Sequence, residues 1–176
     1  DSTIGTVAKN LAEGAGLVVL TLFLLLGNFR AAFIVALAIP LSMFIAFTGM
    51  WRLGVPASLM SLGAIDFGLL VEGAVFIVEN IHRRLSLVES RGTPLSFADK
   101  SRVVADATRE VAGPVVVGLS IVMLVYCPIL TFTGIEYKTF GPMAITVLMA
   151  IGASLAVAIL LMPVLALLFF RARGEH

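Results

Sequence analysis

Cysteine occurs once in this chain, as Cys127 in an apolar run, so neither an internal disulfide nor a cysteine-ligated metal cluster is open to it, and the residue reads as a small buried hydrophobe. Histidine is nearly as scarce, being confined to His82 and His176. Glu79 and His82 spell Glu-x-x-His, but a di-metal bundle site needs two such motifs and two further glutamates, which one remaining histidine cannot supply. There is no Ser/His/Asp constellation, no Gly-rich phosphate loop and no Cys/His ligand spacing, so the chain is not read as an enzyme and no resident cofactor is expected. Charge is the third shortage. At 13% charged residues, against roughly 25% in soluble domains, the chain has no nucleic-acid footprint and too little polar surface for a water-soluble fold.

What is abundant is apolar sequence: 60% of residues are hydrophobic and the mean hydropathy is +1.08. The expected fold class is an all-α membrane protein, with five transmembrane helices and one amphipathic cytoplasmic helix. The runs fall at 11–29, 31–51, 59–81, 111–133 and 142–170, each near or above the ~20 residues a spanning helix needs. A polar lead-in, 1–10, precedes them, a connector, 82–110, interrupts them, and a tail, 171–176, follows. The lead-in has no basic segment followed by a short apolar one, so no signal peptide is visible and an internal piece of a longer polytopic chain is expected. Pro40, Pro128 and Pro163 fall inside the runs and predict kinks, while Pro114 and Pro142 are placed near helix starts, where a missing N–H is tolerated. Nine Lys and Arg lie on the side of the first turn, the connector and the tail, against three (Lys9, Arg52, Lys138) on the other, which predicts a cytoplasmic connector and a periplasmic lead-in. Within the connector, Thr93-Pro94 followed by Phe97, Val104, Ala107 and Val111 predicts an N-capped helix with one apolar stripe, lying along the cytoplasmic interface.

The third run is the informative one, because it holds Asp66, Glu72 and Glu79. An acid near a helix centre costs about 2.5–3.5 kcal/mol to insert and a leucine returns only about 0.5, so such acids are expected to face a bundle interior or a wet cavity and to carry protons or cations. Burial there would raise a carboxyl pKa toward the range in which protons exchange near neutrality. On a continuous helix Glu72 and Glu79 share a face, whereas Asp66 lies about 120° round from Glu72 and about 9 Å along the axis. Glu79 alone could instead be an interfacial ion-pair partner of His82 and Arg83. Gly63, Ala64, Gly68 and Gly73 are small enough to let neighbouring helices approach.

The segment from Asp66 to Asn80, DFGLLVEGAVFIVEN, closely resembles the fourth transmembrane helix of the heavy-metal efflux branch of the resistance-nodulation-division transporters. LGNFRAA at 26–32, IPLS at 39–42, LMSLGA at 59–64 and VYCPIL at 125–130 resemble neighbouring spans of that branch. The resemblance covers essentially the whole chain and implies spans two to six of twelve. It implies a proton-driven, homotrimeric inner-membrane pump working with a periplasmic adaptor and an outer-membrane channel. The exported ion would be a divalent cation such as cobalt, zinc, cadmium or nickel. The family's proton-coupling acids match Asp66, Glu72 and Glu79, with one departure, since Glu72 stands where the branch usually has Asp. Two other readings stay open: an exporter of organic compounds, whose adjacent aspartates are not matched here, and a non-transporting scaffold or sensor bundle, which needs no mid-membrane acids.

Overall fold

The computed structural model describes residues 2–56, 65–92 and 94–170, and every element assigned among them is helical. In chain order they are α1 (Ser2–Leu26), α2 (Phe29–Leu53), α3 (Phe67–Glu89), α4 (Phe97–Tyr126) and α5 (Gly134–Ala156). A 3-10 turn, Cys127–Thr131, closes α4, and a π-helical turn, Val157–Leu161, joins α5 to α6 (Met162–Phe169). Four stretches, Ala8–Leu26, Phe29–Leu53, Phe97–Thr131 and Gly134–Phe169, are long and apolar enough to cross a bilayer. The acid-bearing α3 is the fifth member of this all-α membrane bundle. Residues 57–64, and with them Gly63 and Ala64, lie outside the described residues, as do Thr93 and the tail.

Local chemistry explains most helix boundaries. At the first turn Gly27 takes φ 60°, and the Asn28 side chain accepts the Arg30 N–H at 2.9 Å, capping α2 within two residues of the end of α1. Gly54, at φ 67°, ends α2 in the left-handed conformation that closes many helices. Ser96 starts α4: its hydroxyl accepts the Asp99 N–H at 3.2 Å and donates to the Asp99 carboxylate at 2.8 Å. The cap is thus Ser96, three residues beyond the predicted Thr93.

Several expectations are corrected. The polar connector is mostly helix, because α3 runs on to Glu89 and α4 begins at Phe97 and continues unbroken into its apolar part. The amphipathic stretch is therefore the N-terminal part of α4. Its stripe packs on the bundle through Val104 and Ala107, each 1% exposed, while Phe97 points outward. Pro114 and Pro142 are consequently interior to α4 and α5, where each removes the backbone bond to the carbonyl four residues back. Pro128 lies in the 3-10 turn at the end of α4. Pro163 is preceded by the π-helical turn, a widening that relieves the clash of a proline ring with the preceding turn. Cys127 is exposed, its thiol near the Met123 carbonyl at 3.6 Å.

The core is built around α3, which touches α1, α2, α4, α5 and the α6 segment. Leu70, Val71, Ala74, Ile77, Val78 and Ile81 form its buried side. Gly73 is a contact point: a Cβ there would stand 3.1 Å from Val115 Cγ1 on α4 and 3.3 Å from Ala158 Cβ in the π turn. Outward-facing leucines on α1, such as Leu20 and Leu24, form an apolar surface suited to lipid.

Candidate functional site

The three acids all lie on α3 or at its start, and all are exposed on this bundle. Asp66 is not inside the helix. It takes φ −99° and ψ 112° as the N-cap of α3, and its Oδ1 accepts the Gly68 N–H at 2.8 Å. The helical geometry expected between Asp66 and Glu72 therefore does not apply. Instead both line one groove between α1 and α3, about 470 Å³ in volume, together with Leu17, Thr21 and Phe76. A water molecule takes up about 30 Å³ of liquid, so such a groove is roomy enough for several. Glu72 also borders a second groove between α3 and α4, about 220 Å³, beside Gly73, Phe76, Pro114 and Val115. Glu72 thus stands on the ridge between two largely apolar grooves. The interior expected around these acids is not supplied by the described helices, since the acid edge of α3 points away from the core.

Gly68 was expected to thin the helix for packing, yet it is exposed, and a Cβ there would lie 3.1 Å from Asp66 Oδ1. Its place is beside the cap. Gly73 keeps the packing position expected of it.

Glu79 borders neither groove, and among the described residues it makes no ion pair with His82 or Arg83. Those two side chains are engaged elsewhere. His82 Nε2 lies 2.6 Å from Asn28 Nδ2, with its ring edge-on to Phe170 at 5.4 Å. Arg83 donates to Asn80 Oδ1 at 2.9 Å. The interfacial ion pair considered for Glu79 is therefore absent among the described residues.

One cluster escaped the sequence reading. Asn80, 5% exposed, donates through Nδ2 to the Ala107 carbonyl at 2.8 Å and to Glu110 Oε2 at 3.0 Å. Arg84 donates to the same Oε2 from Nε at 3.1 Å and from a terminal nitrogen at 2.8 Å. Three donated hydrogen bonds thus converge on one Glu110 oxygen. A second tie at the same end of the bundle comes from buried Lys100, whose ammonium donates to the Leu167 and Phe170 carbonyls at the end of α6. An asparagine in the mostly apolar run, beside Glu79, was the available signal for the first cluster, because a buried amide must find partners.

Comparison with known proteins agrees with this architecture. The AcrB/AcrD/AcrF family model matches residues 1–176. The chain is 47% identical, over 98% of its length, to the cobalt-zinc-cadmium resistance protein CzcA of Cupriavidus metallidurans, and 45% identical over 98% to the nickel-cobalt-cadmium resistance protein NccA of Alcaligenes xylosoxydans xylosoxydans. It spans 16% of the length of each. The crystal structure of a heavy metal efflux pump superposes with a TM-score of 0.78 at 44% identity, covering 93% of this chain and 16% of that one. The chain belongs to the AcrB/AcrD/AcrF family of resistance-nodulation-division transporters, in its heavy-metal efflux branch of the cobalt-zinc-cadmium type.

Proposed function

We propose that this chain is the proton-coupling part of the transmembrane domain of a proton/cation antiporter that exports divalent metal ions from the bacterial inner membrane. The observation that carries the reading is the pairing of Asp66 and Glu72 along one groove at the edge of the central helix. Acids within an apolar helix at bilayer depth are rare and mark proton or ion pathways, and although Asp66 also caps α3, no hydrogen bond or ion pair among the described residues accounts for Glu72. Asp66 is anchored through one oxygen by the Gly68 N–H, which leaves the other for a proton, a water or a partner side chain. Glu72, on the ridge, is the group that can face either groove. Glu79 continues the same face toward the cytoplasmic end and completes the relay.

The names of the relatives favour cobalt, zinc, cadmium or nickel as the transported ion, bound as cargo and not as a resident cofactor. The working unit is a homotrimer of the full-length protein, acting with a periplasmic adaptor and an outer-membrane channel. Because the metal is carried by the whole pump, the test uses the full-length protein in proteoliposomes, with zinc-driven proton flux as the readout. Asp66→Asn and Glu72→Gln should abolish the flux without affecting expression or assembly, and Glu72→Asp should retain much of it. Wild-type flux in Asp66→Asn would remove that residue from the mechanism.

A further inference from the structure

The buried face of α3 is almost entirely aliphatic, and aliphatic packing fixes a distance between helices better than it fixes a rotation, because it is not directional. Directional contacts from α3 side chains to other elements are, among the described residues, gathered at its cytoplasmic end: His82 with Asn28, Asn80 with Ala107 and Glu110, and Arg84 with Glu110. Asn80 is the most constrained of them. Both amide hydrogens are used on acceptors and the carbonyl oxygen takes Arg83, so the reverse orientation would set oxygen against oxygen and nitrogen against guanidinium. Glu110 Oε2 gathers Asn80 and both Arg84 donors on one atom, a charge-assisted arrangement joining α4 to two successive turns of α3.

Asn80 lies about 80° round the helix from Glu72 and about 100° from Glu79. Turning Asn80 toward α4 therefore turns both acids away from the core. Resting on the reading of α3 as the proton-carrying helix, we propose that Asn80, Glu110 and Arg84 form a polar lock that sets the rotation of α3 and aims Glu72 and Glu79. They are positioning residues for proton-coupled transport, acting through the acids and touching no cargo.

The test uses the full-length protein in proteoliposomes, with zinc as the cargo. Asn80→Leu keeps the branched shape and the number of side-chain heavy atoms and removes every directional bond. It should lower the maximal rate of zinc-driven proton flux about tenfold or more, as misplacing a reacting group does, while the KM for zinc stays unchanged. Glu110→Arg should lose activity to a similar extent, and the exchange Arg84→Glu with Glu110→Arg should recover most of it, a rescue that simple loss of packing would not produce. If Glu110→Arg does not assemble, Glu110→Gln replaces it, with an expected loss of about threefold from weaker, uncharged acceptance. A wild-type rate in Asn80→Leu, or an exchange pair no more active than Glu110→Arg, would overturn the lock. Asp66→Asn in the same vesicles separates the two levels. Its inactivity beside an unaffected Asn80→Leu sinks the lock alone, whereas wild-type flux in Asp66→Asn sinks the reading beneath it.

Discussion

Gly73 offers the sharpest test of the packing that presents Glu72, because it follows that acid in the chain and meets two other elements. In Gly73→Ala the new Cβ would stand 3.1 Å from Val115 Cγ1, 3.3 Å from Ala158 Cβ and 3.5 Å from Leu119 Cδ1. Carbon atoms rest at about 3.5–4.0 Å, so Val115 and Ala158 must each retreat by about 0.2–0.4 Å at the least. Alanine gains about 0.8–1 kcal/mol of helix propensity over glycine, which roughly cancels that strain and leaves Gly73→Ala near neutral. Gly73→Leu adds three further carbons to a space closed on three sides and should cost about 1–3 kcal/mol by overpacking. Val115→Ala removes the nearest obstructing atom, so Gly73→Ala combined with Val115→Ala should be more stable than the sum of the single changes by about 0.5–1 kcal/mol. The assay is the temperature at which the detergent-solubilised full-length protein loses half of its size-exclusion peak, read beside zinc transport. Gly73→Leu as stable and active as wild type would refute the close approach of α3 to α4 and the π turn. Strict additivity between Gly73→Ala and Val115→Ala would refute Val115 as the obstructing side chain.

Two other outcomes follow from the fold. With Cys127 replaced by serine, Ser90→Cys should react with a membrane-impermeant thiol reagent only after cells are opened, and Lys138→Cys should react on intact cells exposed to reagent that crosses the outer membrane; the reverse pattern would invert the topology drawn from the basic residues. Ser96→Ala removes the cap of α4 and should destabilise its N-terminal end by about 1 kcal/mol, seen as faster amide exchange at Phe97 to Asp99, while unchanged exchange would show that the hydroxyl contributes nothing.

The fold class and the first turn, at Gly27 and Asn28, were legible because one rests on composition and the other on residues with strong conformational habits. Helix boundaries were not, where a change of polarity was taken for a change of backbone. Residues 82–89 and 97–110 are polar enough to leave the bilayer yet keep a helical pattern, so α3 and α4 run through the hydropathy edge. That same error placed Pro114 at a helix start. Asp66 was misread in the opposite sense: its neighbours are apolar, and only the backbone shows that the carboxylate caps the helix. The glycines make the limit plain. Gly68 and Gly73 are equivalent in a run of small residues, and only the position of the cap separates one that sits beside Asp66 from one that receives Val115. The lock was hidden for a different reason, since its partners are 30 residues apart and the hydrogen bonds exist only after packing.

The outward direction of the acid edge constrains what must surround it. At bilayer depth a carboxyl has two tolerable neighbours, a water-filled cavity or other protein groups, because lipid offers no hydrogen bond. The five spans give Glu72 a groove on either side and leave its outer face uncovered. The relatives' chains extend far beyond the matched 16%, so a covering surface can come from helices elsewhere in the full-length protein. On the proposed reading, α3 is a boundary element: its aliphatic face packs in the bundle described here, and its acid edge would meet a seam with whatever covers it in the full-length protein. A group at such a seam experiences any relative movement of the two sides as a change of solvation. On the proposed reading of these acids, that change of solvation is the physical route by which helix movement would be coupled to proton uptake and release.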